Sequence, residues 1–73
     1  MSASVAFAAV AKMMDVCAKG WTFRVSTHSR VVHYNGMVYR SLPKHDEFQV
    51  GFARKMARHF GILDCAKKEL QGL

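Results

Sequence analysis

Residues 30–42 read RVVHYNGMVYRSL. Two β-rich runs flank Asn35-Gly36, and a two-residue type I′ turn needs positive φ at both central positions, which Asn and Gly supply at low cost. That turn sets the register of a hairpin: Tyr34 opposes Met37, His33 opposes Val38 and Val32 opposes Tyr39. One face then carries Val32, Tyr34, Met37 and Tyr39, and the other carries Val31, His33, Val38 and Arg40. The first face holds two aromatics and no charge, so it is assigned to the core. Pro43 has no N–H to continue a ladder, and it ends the second strand of the hairpin.

Working outward, Trp21, Phe23 and Val25 alternate with Thr22, Arg24 and Ser26, the pattern of a half-buried strand. On that alternation Trp21 and Phe23 belong to the core rather than to a surface that stacks on nucleic-acid bases. Before this strand, Phe7, Val10, Met14 and Cys17 recur at helical spacing, in a stretch rich in alanine. Ser2 or Ser4 is expected to cap that helix, and Gly20 to end it. After the hairpin, Phe52, Met56 and Phe60 mark the apolar stripe of a second helix that stops at Gly61. Arg54, Lys55, Arg58 and His59 cover its solvent side. Asp64 is expected to cap a short last helix whose Leu70 and Leu73 fold back on the core. The order is α-β-β-β-α with a short C-terminal helix, in one domain over residues 1–73. The fold class is α+β: a three-stranded antiparallel sheet with both long helices on one face, a layout like that of double-stranded-RNA-binding domains.

Size and charge narrow the functional classes. A chain of 73 residues buries only about 60% of the surface its unfolded form exposes, so it has no room for a deep pocket around a large cofactor. Eleven Lys and Arg stand against five Asp and Glu, giving a net charge of +6 with histidines neutral. Such a field draws in polyanions. Nucleic acid is the first candidate partner, an acidic protein the second and a membrane surface the third. Cys17 and Cys65 are too few for a disulfide framework and lack zinc-site spacing. Cys17 falls on the apolar helical stripe and reads as a buried thiol, which suits a reducing, cytoplasmic setting. The opening MSASVAFAAVAK lacks a basic n-region and is too short to span a bilayer, so neither a secretory signal nor a membrane anchor is expected.

Several short matches in one order resemble the HicA family, the small toxins of bacterial toxin–antitoxin pairs. The chain has Gly20-Trp21, Ser26-Thr27-His28, Asn35-Gly36 and Pro43-Lys44-His45. It continues with Gly51-Phe52-Ala53-Arg54-Lys55-Met56-Ala57-Arg58-His59-Phe60-Gly61-Ile62. The resemblance covers about residues 10–70. It departs from the family pattern where Ser26-Thr27 replaces Gly-Ser, where Val31 replaces an aromatic, and where Phe52-Ala53 replaces Thr-Leu. The resemblance implies a cofactor- and metal-independent endoribonuclease that cuts mRNA and is held inactive by a HicB-type antitoxin. It also implies that His28 is the catalytic group.

That chemistry is sound on its own terms. RNA carries its own nucleophile, the 2′-OH, and an imidazole titrates in the range where it can take or give a proton. Arg30, Arg40, Lys44, Arg54, Lys55 and Arg58 are the candidate phosphate contacts. His33 reads as an exposed strand residue and His59 as solvated, while His45, at the Pro-x-His position of the resemblance, fits a turn role and a functional one equally. Two other classes of function fit the same composition: a basic module that binds RNA or DNA without cutting it, and a phage or plasmid accessory protein that binds other proteins.

Overall fold

The Asn35-Gly36 turn forms as its chemistry requires, with φ of 52° and 77°. A computed structural model describes residues 3–73, so the expected cap at Ser2 lies outside the described residues. These residues form five strands and three helices. In chain order they are β1 (Ser4–Ala6), α1 (Phe7–Cys17), β2 (Thr22–Val25), β3 (Arg30–Tyr34), β4 (Met37–Leu42), β5 (Glu47–Gln49), α2 (Val50–His59) and α3 (Leu63–Glu69). The result is a small α+β domain with two antiparallel sheets, of order β2-β3-β4 and β1-β5.

The hairpin register is the expected one at Tyr34↔Met37, His33↔Val38 and Val32↔Tyr39, and it then shifts to Arg30↔Leu42. Between those pairs β4 carries one residue more than β3, the signature of a bulge. The shift sets Leu42 opposite Arg30, and Leu42 is fully buried. Val32 is likewise buried in the core, with Tyr34, Met37 and Tyr39 packed partly against it. Val31, on the opposite face, is also buried, outside that core cluster.

The β1–β5 ribbon was not expected. Three-residue strands carry no readable periodicity, and the alanines around them favour helix. Pairing decides instead. Ser4–Ala6 lies antiparallel to Glu47–Gln49, and the Val50 N–H donates to the Ala3 carbonyl at 2.9 Å. Ser4 is therefore in a strand and caps nothing. Ala6 takes the N-cap position of α1 in extended geometry, with no side-chain cap. The Phe7 N–H instead donates to the Asp46 carbonyl at 2.8 Å. Asp64 falls in the first turn of α3 and Ile62 takes its cap position, again without a side-chain cap.

Both long helices and the three-stranded sheet feed one core. Val10, Met13 and Met14 of α1 and Val50, Ala53, Met56 and Ala57 of α2 meet Val32 and Leu42 there. Phe52, expected on the inner stripe of α2, is instead 37% exposed. The buried positions of that helix are Val50, Ala53, Met56 and Ala57, continued by Phe60 at its C-cap, a stripe rotated away from Phe52. The helix ends in a Schellman motif at Gly61 (φ 73°). The Ile62 N–H donates to the Ala57 carbonyl at 2.9 Å and the Gly61 N–H to that of Arg58 at 3.1 Å. Leu70 is buried and Leu73 is packed partly against the core, as the sequence suggests.

Two further expectations are overturned. The inner face of β2 is open, with Phe23 42% and Val25 60% exposed, whereas Trp21, just before the strand, packs partly against the core as expected. β2 is an edge strand, and α1 packs mainly on α3 and β1 rather than over it. The cysteines are not thiols: Cys17 and Cys65 form a disulfide that ties the end of α1 to α3. That bond removes the argument from cysteine chemistry for a reducing compartment. No helix among the described residues is long and apolar enough to cross a membrane.

Met56 is fully buried, so Met56→Ala should leave a cavity at the centre of the core. The expected loss is about 3 kcal/mol of unfolding free energy. Urea denaturation followed by circular dichroism measures it, and an unchanged midpoint would contradict this packing.

Candidate nucleic-acid interface

His28 lies in the four-residue connection between β2 and β3, and its side chain is exposed. The loop around it is pinned. The Ser26 N–H and hydroxyl both donate to the Ser29 carbonyl, at 2.7 Å and 3.0 Å. The Ser29 hydroxyl donates to the Arg40 carbonyl at 2.7 Å, tying the loop to the bulged end of β4. The Lys44 ammonium donates to the Thr27 carbonyl at 2.8 Å. Polar side chains thus satisfy the turn's main-chain groups in the way serine-rich turns do. His28 is left free at the apex, with one ammonium fixed beside its neighbour. The side chains of Arg40 and Lys44 are exposed at the same end of the sheet. This cluster holds three of the residues expected from sequence: His28, Arg40 and Lys44.

Arg30 is placed otherwise. It is 6% exposed, and one guanidinium nitrogen donates to the Pro43 carbonyl at 2.6 Å and the His45 carbonyl at 2.9 Å. The guanidinium carbon lies 3.6 Å from the centroid of the Phe7 ring, a cation–π contact. Its Nε is buried without a partner. Burial lowers the Arg30 pKa from its ordinary value, and the carboxylate of Asp46 opposes that shift. Arg30 is therefore an internal brace between β3, the 43–46 segment and α1, and it cannot serve as a phosphate contact. The reason is the face it occupies: it precedes Val32 by two on β3, so its stem shares the inner side of the sheet.

The cations of α2 divide similarly. Arg54 donates to the Gly72 carbonyl at 3.0 Å and to the Leu73 backbone oxygen at 3.3 Å, which holds the C-terminal segment. Lys55 and Arg58 are exposed. Among the described residues no hydrogen bond joins these α2 side chains to the His28 loop. The other histidines are each placed. His33 is half-buried opposite Val38 and Thr22. His45 contributes its carbonyl to Arg30. His59 lies against Tyr39 and Phe60, with ring centroids 5.5 Å and 5.2 Å away. Burial raises the pKa of the Tyr39 phenol from its ordinary value.

A cleft of about 470 Å³ opens beside β1 and the start of α1, lined by Ala6, Phe7, Ala8, Ala11, Asp46 and Glu47. Its charged groups are carboxylates, the wrong sign for a polyanion, and none of the candidate residues lines it. A second, smaller cleft of about 120 Å³ is lined by Gln49, Gly51, Phe52 and the candidate Lys55. The sequence did not single out Ser26 and Ser29 as the residues that brace the loop. The clue available was Ser26-Thr27-His28-Ser29 itself, since serines flanking a short connection commonly bond its backbone.

Compared with known proteins, the chain matches no protein-family model, no curated protein and no solved structure.

Proposed function

We propose that this chain is an RNA-binding endoribonuclease, a HicA-like toxin of a type II toxin–antitoxin pair, that cuts mRNA with His28. The observation that carries the reading is the pinned 26–29 loop. It presents an exposed imidazole at His28 while the Lys44 ammonium bonds the Thr27 carbonyl next to it in the chain, on a protein of net charge +6. The reading takes the β2-β3-β4 sheet with α1 and α2 as a double-stranded-RNA-binding-like arrangement, to which the β1–β5 ribbon is an addition.

The step follows from those groups. The imidazole of His28 accepts the proton of a 2′-OH as its oxygen attacks the adjacent phosphorus. The bond from phosphorus to the 5′-oxygen breaks, that oxygen takes up a proton, and a 2′,3′-cyclic phosphate is left. Lys44 and Arg40 stabilise the charge that builds on the phosphoryl oxygens. A HicB-type antitoxin would inhibit by covering the His28 loop and the cations beside it. The test is incubation of the purified chain with an mRNA in excess chelator. Fragments with cyclic-phosphate ends support the reading, and an intact RNA refutes it.

A non-catalytic RNA-binding module is the second reading. What favours it is that no second imidazole and no carboxylate is hydrogen-bonded to the 26–29 loop among the described residues. Both readings require an affinity that falls with salt, because phosphate contacts release counterions. Lys55 and Arg58 are the pair to replace, since Arg54 also holds the C-terminal segment. Changing both to Gln should lower the slope of log affinity against log salt by about 1.5. Binding titrations across salt concentrations measure that slope, and one that is unchanged would remove α2 from the interface.

A further inference from the structure

The three-stranded sheet has two edges, β2 and β4, and they are finished differently. β4 is bulged, and its apolar residues Met37, Tyr39 and Leu42 pack on the core. A bulge is one of the devices that keep a sheet edge from pairing with another chain. β2 has no bulge and no proline, and all four of its residues are exposed. Its main chain is open as well. The Ser26 N–H donates to the Ser29 carbonyl and so points at β3. Main-chain direction alternates along an antiparallel pair, so Thr22 and Arg24 also face β3, while Phe23 and Val25 face outward. Among the described residues, no hydrogen bond from a loop, a cap or a side chain reaches the N–H or C=O of either. An open edge of this kind, with apolar side chains standing on it, is a template for another strand.

We infer that β2 pairs antiparallel with β2 of a second copy of this chain, joining two three-stranded sheets into one of six strands about a twofold axis. The inference goes beyond the function proposed above and does not depend on it. What selects a second copy is that the strand is complementary to itself. A twofold axis normal to the sheet keeps both apolar faces on one side, so a residue can oppose only one of the same face. Two such registers overlap the strands. With Phe23 opposite the partner's Val25, Arg24 would meet the partner's Arg24, and like charges directly opposite are destabilising. With Phe23 on the axis, it opposes the partner's Phe23, Trp21 opposes the partner's Val25, and Arg24 opposes the partner's Thr22. Apolar groups then meet apolar groups, and the cation meets a hydroxyl. The outward main-chain groups match in that register too. The two Phe23 residues exchange N–H to carbonyl bonds, and each Val25 N–H meets the partner's Trp21 carbonyl. The rings are already ordered: Trp21 and Phe23 stack with centroids 5.4 Å apart, Phe7 meets Phe23 edge-on at 5.0 Å, and the indole N–H donates to Asp15 at 2.8 Å. Little rotamer freedom is left to lose on pairing. Strands this short give an interface at the weak end, below about 1,200 Å² in total, so the dimer forms as concentration rises. Each copy carries a net charge of +6, and salt screens their repulsion. Pairing should therefore strengthen with salt, the reverse of RNA binding.

Sedimentation equilibrium of the full, disulfide-bonded chain from about 10 μM to about 1 mM spans the dissociation constants of weak pairs. The mass should rise from the 8.2 kDa of one chain toward twice that value, and at lower concentration in high salt than in low. Val25→Lys puts a cation on the edge, a common natural block to strand pairing, and should leave a monomer throughout. Thr22→Glu sets a carboxylate opposite the partner's Arg24 on both sides of the axis and should tighten the dimer about threefold. Ser41→Glu makes the same change of charge at an exposed residue of the other edge strand and should tighten it less. A single 8.2 kDa species at about 1 mM in high salt, or a dimer that Val25→Lys leaves intact, would overturn the pairing. Equal effects of the two glutamates would overturn its register. If Val25→Lys does not fold, the wild-type chain and the two glutamate variants decide.

Discussion

His28→Ala should lower the rate of mRNA cleavage by about 10²-fold or more, the contribution typical of a positioned general acid or base. RNA affinity should change little. The side chain removed is a single exposed imidazole, and the charge that attracts RNA resides in Lys and Arg side chains. The fold should also survive, because the loop is held by Ser26, Ser29 and Lys44 rather than by His28. His33→Ala is the matched control: it removes an imidazole five residues away, paired across the hairpin with Val38, and should leave cleavage near wild type. Induced expression of the three chains, scored for growth arrest and mRNA decay, gives the same comparison in cells. A His28→Ala chain that cleaves at the wild-type rate ends the catalytic assignment and makes the binding module the better reading.

What the sequence made legible followed from local chemistry strong enough to overrule its surroundings. Asn35-Gly36 admits one kind of turn, and the register of β3 and β4 beside it follows from that turn alone. Helix α2 was readable from its stripe and from Gly61, although its true start at Val50 turned Phe52 outward. The parts that were not legible depend on partners distant in sequence. The β1–β5 ribbon exists because residues 4–6 and 47–49 meet, and nothing in either triplet announces it. The alternation of Trp21, Phe23 and Val25 announced a strand correctly, but period-two patterning cannot say whether another element covers the apolar side. At the candidate site, His28 could be placed in a loop from sequence. The burial of Arg30 could not be foreseen, because it depends on a ring in α1 and carbonyls at 43 and 45.

Opening the Cys17–Cys65 disulfide should cost about 4 kcal/mol. The two residues are 48 apart in sequence, and releasing a loop of that length returns this much conformational freedom to the unfolded chain in the chain-entropy treatment. In a domain this small the loss corresponds to a fall in melting temperature of roughly 15–30 °C. Thermal melts of the wild-type chain with and without reductant, and of the Cys17→Ser/Cys65→Ser variant, measure it. The reduced wild type and the double variant should agree, since both lack the crosslink. The folded state itself should change little. Ala66 and Leu70 stay buried against the core, and Arg54 still bonds the backbone oxygens of Gly72 and Leu73. Cleavage measured well below the lowered midpoint should therefore be independent of reductant, because the pinned 26–29 loop touches neither cysteine. A melting temperature that reductant does not move would mean that the bond does not form. In a reducing compartment the chain would then act as the weaker, reduced form, whose stability rests on the core around Met56 and Leu42 alone.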